Sequence, residues 1–167
     1  MQIARRSRKF DNGPIPLTQK GIDALHEKLA YLKRVLPERI AETQRTAAYG
    51  DRSDSAEYKE AKGILRATHR QIFSIEDQLK RVVLIELGPD ASGTVQLGST
   101  VVIEEQSNGD KKTFQILGPQ ETNPGNGRIS HKSPLGAALI GRKKGETVLI
   151  ETANGPRKYL ILNIKEE

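Results

Sequence analysis

Asp51 and Asp54 stand three residues apart in the polar run Tyr49-Gly50-Asp51-Arg52-Ser53-Asp54-Ser55, with Arg52 between them. Two carboxylates at this spacing can share one hard divalent cation such as Mg²⁺, but they fill only part of its oxygen shell. Water and a host protein must supply the rest, so the ion is not expected to be bound by the free protein. The same residues also have a purely local reading. Asp54 followed by Glu57 has capping-box spacing, and Asp51-Arg52 then belongs to a solvated turn. The two readings are compatible.

Beyond the acidic pair, Arg52, Lys59, Lys62, Arg66 and Arg70 recur at spacings of 7, 3, 4 and 4. On a helix this is a basic stripe running back from the acids, along which a phosphate backbone fits; equally, it is the wet face of a coiled coil. Other chemistry is poorly represented. His26, His69 and His131 have no metal-site spacing. Ser53, Ser55, Ser99 and Ser133 lack a nucleophile elbow, and Gly125-Asn126-Gly127 has no lysine-bearing phosphate motif after it. No self-contained active site is expected.

The elements that must carry these residues follow from hydrophobic spacing. Tyr58, Ala61, Leu65, Thr68, Ile72, Ile75, Leu79 and Val82 recur at 3 and 4 residues alternately, the seam of a coiled-coil helix. Ile22, Leu25, Leu29, Leu32 and Leu36 obey the same rule upstream, and Pro37 is expected to bend that helix or locally break its hydrogen bonding, after which the helix resumes. Two such helices joined by a short polar turn must fold back on each other, because neither can bury its stripe alone. The expectation is therefore an antiparallel hairpin over residues 16–87, roughly 45 to 50 Å long, with its acidic tip at 50–55. Reach, rather than core, is what such a rod provides.

Residues 1–15, with Arg5, Arg6, Arg8 and Lys9, read as a basic flexible tail, and residues 88–93 as a linker. From 94 to 167 the pattern is that of a small α+β domain. Strands are expected at Val101 to Glu105, Thr113 to Leu117, Thr147 to Glu151 and Tyr159 to Ile164, with turns at Ser107-Asn108-Gly109-Asp110 and Ala153-Asn154-Gly155-Pro156. A short helix over Pro134 to Ile140 should be capped by Ser133.

Composition agrees with this division. The 167 residues carry 27 Lys or Arg against 21 Asp or Glu. Residues 1–83 hold 17 basic and 11 acidic side chains and the remainder hold ten of each, so the whole excess lies in the first half. The chain has no Cys and no Trp, three Phe and four Tyr, which excludes disulfides and thiolate metal sites and leaves too few rings for a base-stacking platform. With no apolar run of membrane length and no signal peptide, the expected setting is cytoplasmic, without membrane association.

Two stretches resemble the bacterial GreA/GreB transcript-cleavage factors of RNA polymerase. Gly50-Asp51-Arg52-Ser53-Asp54-Ser55-Ala56-Glu57-Tyr58 is similar to the family's tip pattern. Ile129-Ser130-His131-Lys132-Ser133-Pro134-Leu135-Gly136-Ala137-Ala138-Leu139-Ile140-Gly141 is similar to the signature of its C-terminal, FKBP-like domain. Pro16-Leu17-Thr18 with Gly21 also looks like the start of the family's first helix, and the Arg52-Ser53 pair is more similar to the GreB branch. The resemblance implies a helical hairpin followed by an FKBP-like antiparallel sheet domain. It implies a monomer that binds RNA polymerase, inserts the hairpin into its secondary channel, and stimulates Mg²⁺-dependent cleavage of backtracked RNA near its 3′ end. In that reading Asp51 and Asp54 hold the ion while Arg52, Lys59, Lys62 and Arg66 hold the transcript. Ser133, Pro134 and Leu135 lie near the polymerase contact, and the protein is not itself the enzyme. Asp54 stands where the family usually has glutamate, and Ser55 where it has asparagine, so a non-cleaving or inhibitory regulator of the same channel is the alternative. A stand-alone basic coiled coil that binds RNA or DNA is a second alternative. The FKBP-like resemblance also raises prolyl isomerase, but one Phe and one Tyr from Gly88 onward are too few rings for a proline pocket.

Overall fold

The computed structural model describes residues 13–48 and 55–165. β1 (Ile15–Leu17) leads into α1 (Gln19–Ala48), and α2 (Ala56–Lys80) into β2 (Val82–Leu84). Thr18 starts α1: its hydroxyl accepts from the Gly21 amide at 3.1 Å, and its carbonyl accepts from Ile22. The first of these bonds satisfies one of the donors that every helix start leaves open, and the second is the first bond of the helix itself.

α1 and α2 pack as the heptad spacing requires. Leu32 on one helix and Ala61, Thr68 and Ile75 on the other are buried, and the remaining seam residues are half-buried. The seam is polar at one level, where the Arg39 guanidinium donates to the fully buried Thr68 hydroxyl, which itself donates to the Ile64 carbonyl. On the flank, Lys33 pairs with Glu76 at 2.7 Å.

Two expectations, those for Val82 and Ile15, are corrected here, and the first helix resumes past its proline as expected. α1 is one 30-residue helix that runs through Pro37 without interruption. The missing N–H costs one backbone bond, which the seam contacts on either side outweigh. Val82, read as the last seam residue, belongs to β2, because α2 ends at Lys80 and Arg81 closes it by donating its amide to Gln78. Ile15, read as tail, is buried in β1, which pairs parallel with β2 in the register Ile15 to Val82. The tail itself, residues 1–12, lies outside the described residues.

The second unit is a five-stranded sheet of order β5-β4-β3-β7-β6, formed by β3 (Thr100–Glu105), β4 (Lys111–Leu117), β5 (Arg128–Ser130), β6 (Thr147–Thr152) and β7 (Gly155–Lys165). It is a mixed sheet, since β4 and β5 run parallel while the other pairs are antiparallel. Alternate residues of β3 (Val101, Ile103) and β6 (Val148, Ile150), with Ile116 of β4 and Ile161 of β7, form one buried core. α3 (Pro134–Leu139) covers that face with Leu139, packing against β5 and β6.

Hairpin and sheet are joined by a specific junction. Glu121, at the end of a 3-10 turn over Pro119–Glu121, is buried and accepts from the Thr18 amide and the Thr18 hydroxyl, both at 2.7 Å. Arg128 approaches the same carboxylate at 3.3 Å. An anion is thus seated at the N-terminus of α1, where the helix dipole favours it. Beside it, the Ile85 amide donates to the Leu17 carbonyl at 2.8 Å. The segment read as a linker is anchored too: Ser99 donates to the Gly88 carbonyl, and Asp90 accepts from Ser92 and Thr94.

Candidate functional site

α1 ends at Ala48 and α2 begins at Ala56, so the segment that carries the acids connects the far ends of the two helices. Asp51, Arg52 and Asp54 lie outside the described residues. The described residue next to them is Ser55, which caps α2 from an extended backbone and accepts from the Tyr58 amide at 3.4 Å. The N-cap is therefore Ser55 rather than Asp54, which corrects the capping-box reading. A hydroxyl one residue closer to the first turn takes that role.

The basic stripe occupies one flank of α2. Lys59, Lys62 and Arg66 each follow a seam residue directly, after Tyr58, Ala61 and Leu65. They therefore lie in one row beside the seam. Lys59, Arg66 and Arg70 are exposed. Lys62 is half-buried with its ammonium 5.2 Å from the Tyr58 ring centre, a cation–π contact that orients it along the helix surface.

The third candidate group serves the domain itself. The Ser133 hydroxyl donates to the Ser130 carbonyl at 2.7 Å and accepts from the Gly136 amide at 3.1 Å, capping α3. Leu135 packs against the core, and Pro134 is the one exposed member. Gly136 belongs to the same construction: a Cβ there would sit 2.1 Å from the Ser130 carbonyl oxygen. His131 is tied to the Leu117 carbonyl at 3.2 Å, while His26 and His69 are exposed. Among the described residues, no group of three or more His, Cys, Asp or Glu could hold a metal ion. No helix among them is long and apolar enough to cross a membrane.

Sequence reading did not single out Glu121 as a partner of Thr18, 103 residues away. Gly21 was the available signal: a Cβ there would lie 2.6 Å from the Glu121 carboxyl, so the helix start must be bare to receive it. A second buried acid was also missed. Glu105 accepts from Arg157 at 3.1 Å and from Ser107, closing the end of the sheet.

The arrangement offers a long hairpin, a connecting segment that carries two acids, a cationic flank leading away from it, and a sheet domain that holds the base rigidly. Two family descriptions match the chain: "Transcription elongation factor, N-terminal" over residues 15–84 and "Transcription elongation factor, GreA/GreB, C-term" over residues 90–166. The transcription elongation factor GreA of Thermomicrobium roseum is 40% identical over 153 residues, covering 90% of this chain and 97% of that protein. GreA of Bacillus cytotoxicus is 34% identical over 151 residues, covering 90% and 96%. Among solved structures, GreA factor homolog 1 (Gfh1) of Thermus thermophilus is similar at 29% identity and a TM-score of 0.41, covering 92% of this chain and 99% of that one.

Proposed function

The chain belongs to the GreA/GreB family of transcription elongation factors, and from that premise we propose that it binds RNA polymerase, enters its secondary channel with the hairpin, and stimulates cleavage of backtracked RNA. The observation that carries this reading is the placement of both candidate acids in the short segment joining the far ends of two packed helices. Thirty residues of α1 at 1.5 Å each give a reach of about 45 Å, long enough to bring that segment into a partner's interior.

Asp51 and Asp54 would hold a Mg²⁺ ion shared with the polymerase, since two carboxylates cannot close a site alone. When bound there, the ion would supply charge stabilisation at the scissile phosphate and lower the pKa of a water. The chain's own contribution is positional. Lys59, Lys62 and Arg66, with Arg52, bind the extruded transcript through its phosphates, and the Thr18–Glu121 junction keeps the hairpin at a fixed angle to the domain that docks on the polymerase. The hydrolytic chemistry belongs to the polymerase.

The test is direct. Backtracked, stalled polymerase complexes incubated with this protein in Mg²⁺ buffer are expected to release short 3′ fragments. Asp51→Ala should reduce the rate by about two orders of magnitude or more, without loss of polymerase binding. One observation favours a second reading: Asp54 is one methylene shorter than the family's usual glutamate, and a shortfall of about 1 Å can cost on the order of a hundredfold in rate. If wild type cuts nothing yet competes with an active cleavage factor, and Asp54→Glu restores cutting, the protein is a non-cleaving regulator of the same channel.

A further inference from the structure

The row that carries the basic stripe does not end on a cation. Among the residues that directly follow the seam of α2, Lys59, Lys62 and Arg66 are succeeded by His69, after Thr68, and by Phe73, after Ile72, at spacings of 3, 4, 3 and 4. Residues so spaced share one helix face. Phe73 is 74% exposed, the most exposed large apolar side chain among the described residues. Single apolar residues on a surface are ordinary. Phe73 stands out by its company, since His69 and Arg70, four and three residues before it, are exposed as well and lie beside it on the helix.

The acids near this face are engaged. Glu76, next in the row, is held by Lys33 of α1 at 2.7 Å, and Asp77 by Arg81 at 2.8 Å. Glu38 and Glu42 of α1 gather with Glu57, Glu60 and Ile64 around a trough on the other flank, which Arg39 also lines. The pairing of Lys33 with Glu76 further shows which side of α1 borders Phe73. Pro37 and Ile40, four and seven residues on from Lys33 and thus on the same face, are exposed and uncharged. The surface around the ring is therefore positive along α2 and neutral along α1.

We propose that Phe73 is a base-stacking contact for single-stranded RNA lying along the basic row, which rests on the transcript-binding role given above to Lys59, Lys62 and Arg66. A backbone whose phosphates lie on cations leaves its bases free, and every base has a face on which an exposed ring can stack. The lengths agree. Phe73 follows Lys59 by 14 residues, about 21 Å of helix, which about six stacked nucleotides span at about 3.4 Å each. One ring is no platform, but at the end of a cationic track it adds a position where a base, rather than a phosphate, is held. An apolar protein surface would have to bury Arg66, His69 and Arg70 together with the ring, whereas an RNA strand gives the cations phosphates and the ring a base.

The chain contains no Trp, so Phe73→Trp in the full-length protein is a sole indole reporter. Titrated with an oligouridylate of about twelve nucleotides in about 20 mM salt, its emission should be quenched saturably, and about 0.5 M salt should reverse the quenching. Ile64→Trp, on the opposite flank, should stay unquenched. With end-labelled RNA followed by fluorescence anisotropy, Phe73→Ala and Phe73→Leu should each bind about tenfold more weakly than wild type, and Phe73→Tyr about as well. No RNA binding, equal quenching at both positions, full affinity of Phe73→Leu, or quenching that survives salt would each overturn the proposal. Wild type that cuts no backtracked transcript would refute the cleavage reading and leave the contact at Phe73 standing; RNA affinity indifferent to Phe73 would refute the contact alone. Phe73 and Ile64 are exposed, and unchanged helical circular dichroism confirms that the variants are folded.

Discussion

Two helical glycines of this chain have opposite meanings. Gly21 sits in the first turn of α1 with the Glu121 carboxyl 2.6 Å from where its Cβ would be, whereas Gly63 on α2 has nothing within 4 Å. Alanine normally improves a helix interior by up to about 1 kcal/mol over glycine. Gly63→Ala should therefore raise stability by roughly that amount. Gly21→Ala must displace a buried carboxylate from its bonds with Thr18, a loss of about 1–3 kcal/mol that exceeds the propensity gain. Chemical denaturation of both variants checks the pair, and equal shifts of the same sign would contradict the junction described here.

At the scale of the helices, the hairpin is held by an apolar seam with one polar level. Thr68→Val keeps the shape of the side chain but strands the Arg39 guanidinium at the seam, which should destabilise the hairpin by about 1–2 kcal/mol. Combining it with Arg39→Met removes both polar partners, and the double variant should return to wild-type stability or exceed it. A double-mutant cycle in urea measures the coupling; additive effects would show that the contact is incidental. The cross-helix pair on the flank has a pH signature instead. Lys33, by hydrogen bond and by charge, holds the Glu76 carboxyl below its ordinary value of 4.5. The contribution of a lowered carboxyl is fully present above its unfolded value and is lost as pH falls through the folded one. Lys33→Met should accordingly lower the melting temperature at neutral pH and leave it unchanged in strong acid, a difference that thermal scans across that range resolve.

For the whole molecule, the consequential contact is the one between its two units. Glu121 accepts from the first residue of the hairpin and is backed by Arg128, while Leu17 and Ile85 are buried next to it. Glu121→Ala leaves the start of α1 without its anion and should cost about 2–3 kcal/mol. It should also separate one cooperative unfolding transition into two, for hairpin and sheet, visible in calorimetry. In the cleavage assay the same variant is expected to bind polymerase and cut slowly, because a hairpin free to swing presents its tip acids in the right place less often.

What sequence alone determined was whatever repeats locally. The heptad seams from Ile22 to Leu36 and from Tyr58 to Leu79, four of the five strands of the sheet, and the Ser133 cap all rest on neighbours within a few residues, whose geometry the backbone period dictates. The motifs at Gly50 to Tyr58 and Ile129 to Gly141 likewise pointed to the family. Tertiary structure decided the rest. β1, β2 and β5 are three residues each, too short to carry a period, and they exist because a partner strand satisfies their backbone. The parallel pairing of β4 with β5 and the burial of Glu121 beneath Thr18 both join residues remote in sequence. Such contacts are selected by the packing free energy of the folded whole, which no local pattern encodes.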